Sequence, residues 1–181
     1  MKDTVSDLHY SKVLERPKVI YNDKTRKFVM WLHLDSNDYY KAAAGVAVSD
    51  SPTGNFTYLG SIQPNNAMSR DMTLFKDEDR KAYHVYSSEN NETLYVSQLT
   101  EDYLKPSGKF TRNFIKASRE APAVLSIIIS TTYFRQGVRA GILTRQNMPL
   151  QTICWVNGRY WESHAQAKMP ISHLRVKVPM C

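Results

Sequence analysis

Three carboxylates, Glu15, Asp71 and Glu120, stand at matching points of the stretches Glu15–Tyr21, Arg70–Phe75 and Arg119–Val124, each at the start of an apolar run and separated by 56 and 49 residues. Groups repeated at that interval converge when the repeating unit is arranged radially about an axis. Converging carboxylates suit hydrolysis of a glycosidic bond. That reaction takes one protonated carboxyl group to donate to the leaving oxygen, and a base on the opposite face of the sugar to activate water. Crowding like charges in a partly desolvated channel raises at least one pKa, the condition for a carboxylic acid that stays protonated near neutrality. A single strand-start Asp or Glu beside an Arg is ordinarily a surface pair or a turn cap, so the weight rests on the repetition.

Around these groups, Trp31, Tyr39, Tyr40 and Tyr86 offer flat apolar faces on which a sugar ring could lie, although an aromatic residue on a strand usually belongs to the core. His33 and His84 fall on strand patterns without metal-ligand spacing and read as core or channel histidines. Asp77-Glu78-Asp79, between two strand patterns, reads as a solvated turn. No metal site and no cofactor is expected.

The elements that must carry these residues are short strands. Lys18–Tyr21 and Phe28–Leu32 flank the polar turn Asn22-Asp23-Lys24-Thr25 and form a hairpin, followed by Gly45–Ser49 and Phe56–Leu59, which are joined through Asp50–Asn55, a stretch dense in turn formers. Four strands in about 45 residues make one propeller blade. Met72–Phe75, Ala82–Tyr86, Thr93–Val96 and a strand near Lys109–Thr111 repeat the plan, and the third carboxylate opens a third unit. The expected fold is therefore all-β, a partial propeller of about two blades plus the start of another, with the first strand of each blade lining the central channel.

The 181 residues, 42% hydrophobic and 23% charged, suit one globular core. No apolar run approaches the roughly 18 residues that span a bilayer, and Met1-Lys2-Asp3-Thr4 has no signal-peptide character, so the chain as written is expected to be cytoplasmic and away from membranes. Its net charge of +7 invites a nucleic-acid reading, but the charge is lopsided: residues 1–124 carry +1 and residues 125–181 carry +6. Cys154 and Cys181, with Trp155 and Trp161, also lie after a sharp compositional break near Val124. Two cysteines so placed give neither a disulfide framework nor a metal signature. No nucleic-acid partner is expected.

Glu15–Asn22, Val29-Met30-Trp31, Gly45–Pro52, Ser69–Asp77, Tyr86–Glu89 and Arg119–Ala123 together resemble the galactan 1,3-β-galactosidase (exo-β-1,3-galactanase) branch of glycoside hydrolase family 43, over about residues 12–124. The resemblance implies a five-bladed β-propeller and an inverting exo-hydrolase that removes galactose from β-1,3-galactan chains such as those of arabinogalactan. It implies Glu120 as general acid, Asp71 as the residue that orients it and adjusts its pKa, and Glu15 as a contact to the terminal galactose assisted by Tyr39 or Tyr40. Full-length relatives are expected to be secreted or periplasmic.

Two departures from the family pattern bear on activity. Only Met1 to Leu14 precede the Glu-Arg-Pro-Lys segment, where the family has a further blade, and the Gln-Ser-Thr-Tyr stretch that supplies a glutamine base in this branch is absent; Gln151-Thr152 is the nearest imitation. The family also continues past Ala123 with a Lys-Tyr-Tyr hairpin and a Ser-Gly-Cys-Thr-Gly-Trp loop. Codons can be written for Phe134–Pro149 that, moved by two bases, encode that loop, and the same shift near Arg175–Pro179 permits Ser-Gln-Ser-Thr-Tyr. The expected organisation is a partial hydrolase propeller over 1–124 and an out-of-frame, irregular tail over 125–181, whose Ile127-Ile128-Ile129 run would add to an open sheet edge. Such a chain is expected to self-associate through open edges and to be catalytically impaired, leaving a non-catalytic carbohydrate-binding fragment as the alternative.

Overall fold

The structure, a computed structural model, describes residues 6–118, 120–131, 134–145, 153–156 and 159–162, with side chains as far as Val124. The chain divides into two compact units, Met1–Pro122 and Ala123–Cys181. Among the described residues the only helical element is a 3-10 turn at Pro64–Asn66, and no helix is long and apolar enough to cross a membrane.

The first unit holds two antiparallel four-stranded sheets, each a meander in which every strand pairs with the next. One comprises β1 (Val13–Asn22), β2 (Lys27–Asp35), β3 (Ala43–Ser49) and β4 (Thr57–Ile62); the other comprises β5 (Met72–Lys76), β6 (Ala82–Ser88), β7 (Thr93–Leu99) and β8 (Pro106–Asn113). Local turn chemistry sets the hairpins. The Asn22 side-chain oxygen accepts the N–H groups of Lys24 and Thr25, at 3.0 and 2.9 Å, an Asx turn that reverses the chain between β1 and β2. Asp77-Glu78-Asp79 forms the turn between β5 and β6, closed by the Asp77 N–H on the Lys81 carbonyl at 2.9 Å, as its polar composition predicts. Glu89, Asn90 and Asn91 all take positive φ between β6 and β7, a conformation that asparagine tolerates better than most side chains.

The alternation of each strand places one face between the sheets. Val29, Trp31, Ala44 and Val46 from the first pack with Met72, Ala82, Tyr86, Tyr95 and Leu99 from the second, and Tyr103 completes the cluster. Polar ends are bonded within it: the Trp31 indole N–H donates to the Tyr103 carbonyl at 2.8 Å, and the Tyr86 hydroxyl donates to the Pro64 carbonyl at 3.0 Å. Trp31 and Tyr86 are wholly buried, so neither is a sugar platform; their hydrophobic area and bonded polar ends belong to the core. His84 is also wholly buried, with ring centroids 4.8 Å from Trp31 and 4.6 Å from Tyr86.

From the end of the first unit into the second, the backbone forms β9 (Glu120–Thr131), and then β10 (Phe134–Arg145), β11 (Ile153–Val156) and β12 (Arg159–Glu162), paired in the order β12-β11-β10-β9. The described stretches of this region are thus extended and paired. Ile, Val and Thr are frequent in these segments, and such residues favour the extended backbone whatever selected them. The Ile127–Ile129 run lies inside β9, whose neighbour in its sheet is β10. Gln151-Thr152, Cys181 and Arg175–Pro179 lie outside the described residues.

Candidate active site

The three repeated carboxylates lie near the starts of strands. Glu15 is the third residue of β1, Asp71 immediately precedes β5, and Glu120 is the first residue of β9. At Glu15 the strand is irregular. The pairing of β1 with β2 shifts register between Glu15 and Lys18, and Arg16 takes φ +52°. Such a bulge re-aims side chains relative to a regular ladder. Here Arg16 Nε reaches Asp71 Oδ1 at 2.6 Å, while Glu15 comes within 3.3 Å of His33.

Asp71 sits at the junction of the two sheets. Besides Arg16 on one oxygen, its other oxygen accepts the N–H of Ala121 at 3.1 Å, and its carbonyl accepts the Ser87 N–H at 2.9 Å. Ala121 has φ +51°, a strained value for a residue with a Cβ, and it directly follows Glu120. Asp71 therefore fixes the backbone that carries Glu120. The Glu120 carboxylate itself is exposed and accepts the side-chain N–H of Asn91 at 2.8 Å, from the left-handed turn between β6 and β7.

Tyr39 lies in the loop between β2 and β3 and donates its hydroxyl to Glu15 Oε1 at 3.1 Å. That bond to a carboxylate raises the Tyr39 pKa. Arg70, next to Asp71, donates to the Tyr39 carbonyl at 3.0 Å, tying the loop to the approach of β5. Tyr40 is 84% exposed, and its backbone N–H bonds back to Ser36 and Asp38.

The structure thus joins Tyr39 directly to Glu15, brings Asp71 beside Glu15 through Arg16, attaches Glu120 through Ala121, and leaves Tyr40 at the solvent edge. Sequence reasoning missed Arg16, Asp35 and Asn91, and read His33 only as a core or channel residue. One available signal was the period-2 run Val29, Trp31, His33 and Asp35, which puts a histidine and a carboxylate on the face that starts as core. The simple crowding of like charges is also corrected. Arg16 pairs with Asp71, and His33 stands beside Glu15.

Glu15, His33 and Asp71 bring three potential metal-ligand atoms within 4.8 Å of one another. Both Asp71 oxygens are already engaged, one by the Arg16 guanidinium and one by the Ala121 N–H. The cluster has its positive charge from the protein itself.

The family model described as glycosyl hydrolases family 43 matches residues 17–127, which include β2 to β8 and two of the three repeated carboxylates. The chain belongs to glycosyl hydrolase family 43. Among solved structures of this family, the β-1,3-galactosidase BT3683 with galactodeoxynojirimycin is 32% identical with a TM-score of 0.69, over 86% of this chain and 58% of that one. The β-1,3-galactosidase BT0265 is 33% identical with a TM-score of 0.71, over 84% and 32%. A variant of the exo-β-1,3-galactanase from Phanerochaete chrysosporium with β-1,3-galactotriose is 30% identical with a TM-score of 0.65, over 84% and 38%. This family 43 chain therefore spans between about a third and three-fifths of the length of these relatives. A comparison with curated proteins gives no match.

Proposed function

We propose that this chain is part of an inverting exo-β-1,3-galactosidase that releases galactose from β-1,3-galactan, with its first two sheets as consecutive blades of a five-bladed propeller. Glu120 is the general acid. Asp71 orients it and tunes its ionisation, and Glu15 with Tyr39 contacts the terminal galactose, Tyr40 standing at the rim. The observation that carries this reading is the Asp71 carboxylate, which bonds the backbone beside Glu120 on one oxygen and Arg16 on the other. That arrangement anchors the backbone next to an exposed carboxyl group, as positioned proton donation to a glycosidic oxygen requires. The kinship with β-1,3-galactosidases at 30–33% identity supports the same substrate.

Residues 125–181 are proposed to be translated out of frame; the end of the family match at residue 127 supports this. The gene's nucleotides test it directly, since the shifted frame must encode Ser-Gly-Cys-Thr-Gly-Trp. Activity is tested by galactose release from β-1,3-galactan, measured beside retention on a galactan column. Release that E120Q abolishes supports the hydrolase. Retention without release identifies a carbohydrate-binding fragment, the outcome favoured if the tail supplies no base.

A further inference from the structure

Both oxygens of the Glu15 carboxylate trace back to a single buried acid. Asp35, the last residue of β2, has no solvent exposure. Its Oδ2 lies 2.9 Å from His33 Nε2, and the opposite ring nitrogen, Nδ1, lies 3.3 Å from Glu15 Oε2. Its Oδ1 accepts the N–H groups of Ser36 and Ala42, at 2.9 and 2.8 Å, and so pins both ends of the loop that carries Tyr39. Tyr39 then donates to Glu15 Oε1. Two arms leave Asp35, one through His33 and one through the loop, and they meet on the same carboxylate.

We propose that Asp35 and His33 are positioning residues for the galactose contact, holding Glu15 and Tyr39 in one geometry. The inference rests on the reading that Glu15 and Tyr39 touch the terminal sugar. The physical case has three parts. His33 is 2% exposed, so it does not itself meet a sugar. Its Nδ1 is buried without a satisfactory hydrogen bond, a costly arrangement that closes when Glu15 moves by a few tenths of an ångström towards it. A carboxylate on the far nitrogen fixes ring orientation, as it does for histidines that must present the other nitrogen accurately. The loop needs the same anchor, because Tyr39 and Ala42 take φ +57° and +41°, values that persist only where surrounding bonds determine them. The Ala42 carbonyl in turn accepts the N–H of Ser69, two residues before Asp71, so the anchor extends to the other sheet.

The test uses the 181-residue chain and isosteres of each ring nitrogen. An asparagine at position 33 keeps a donor where Nδ1 faces Glu15, and a glutamine keeps one where Nε2 faces Asp35. Calorimetric titration with galactose is expected to show His33→Asn within about threefold of the parent and His33→Gln at least tenfold weaker, with that difference vanishing in a Glu15→Gln background. A purely structural histidine predicts equal losses, or the reverse order, and either result overturns the proposal. The second measurement needs no ligand: Glu15→Gln should move the His33 Nδ1 resonance in 15N NMR, and Asp35→Asn should move Nε2. Unmoved resonances overturn the proposal even if galactose binds. A parent chain that fails to bind galactose but shows both resonance shifts leaves the positioning network standing and counts against the sugar reading instead. Displacement of the Nδ1 resonance by millimolar calcium or zinc would replace it with a cation site.

Discussion

The carboxylate of Asp71 accepts the backbone N–H of Ala121 at 3.1 Å, one residue beyond Glu120, and so couples the start of the second sheet to the group assigned as proton donor. The bond acts on backbone, not on the Glu120 side chain, and the side chain has its own partner in Asn91. The backbone and the side chain of the acid are therefore held by different neighbours. In a chain that releases galactose, E120Q should lower kcat by about 10²–10⁴-fold while leaving galactose affinity within a few-fold. D71N keeps an acceptor for Ala121 but loses the charge that pairs with Arg16, and D71A loses both. The expected order of activity is parent, then D71N, then D71A, read from initial rates of galactose release.

Tyr39 and Tyr40 are neighbours in sequence with different prospects. Only Tyr39 donates to Glu15. A hydrogen bond to a charged group is stronger than a neutral one, and solvent exposure weakens it here. Y39F is expected to weaken galactose binding by about tenfold and Y40F by less than threefold, measured by titration. Equal effects would remove Tyr39 from the site.

Burial pushes the His84 imidazole down to about 3 from its ordinary value of 6.5, so it is neutral in the folded chain. The unfolded chain protonates near 6.5. The stability that His84 supports is fully present above that value and is lost as pH falls from 6.5 towards 3, at about 1.4 kcal/mol per pH unit. Denaturant midpoints between pH 7 and pH 4 should decline for the parent, and His84→Leu should flatten that decline. The Arg112 guanidinium holds Glu89 down to about 2, which adds a separate loss between about 4.5 and 2 that the His84 substitution leaves in place.

Trp31 fills the space between the sheets and spends its only polar group on the Tyr103 carbonyl. Trp31→Phe removes volume and leaves that carbonyl without its donor. A loss of about 2–4 kcal/mol in unfolding free energy is expected from the cavity and the lost bond together, read from urea melts. A change below 1 kcal/mol would mean that the two sheets do not share this core.

Much of this arrangement was legible in the residues alone. The interval between Glu15, Asp71 and Glu120 announced a repeating unit, and alternation with polar turns located all eight strands of the first two sheets, because the side-chain period of a strand and the conformational demands of Asn, Asp and Gly are local properties. The family likeness followed from the same segments. The pairing of β9 to β12 was not legible in the same way, since it asks only for extended, β-branched sequence and is indifferent to its origin.

Tertiary structure decided what the strand pattern leaves open. Alternation says that Trp31, His33 and Asp35 share a face, but not where along that face the core ends and the carboxylate cluster begins. Packing against the second sheet buries Trp31, while two residues on His33 stands between Asp35 and Glu15. The bulge at Arg16 is likewise invisible locally, and it alone brings a guanidinium from β1 onto Asp71, 55 residues away. The sequence by itself determined which carboxylates recur and on which strands they stand. Their partners were settled only by the approach of two sheets, because hydrogen bonds and ion pairs act over about 3 Å and depend on placements that no single strand contains.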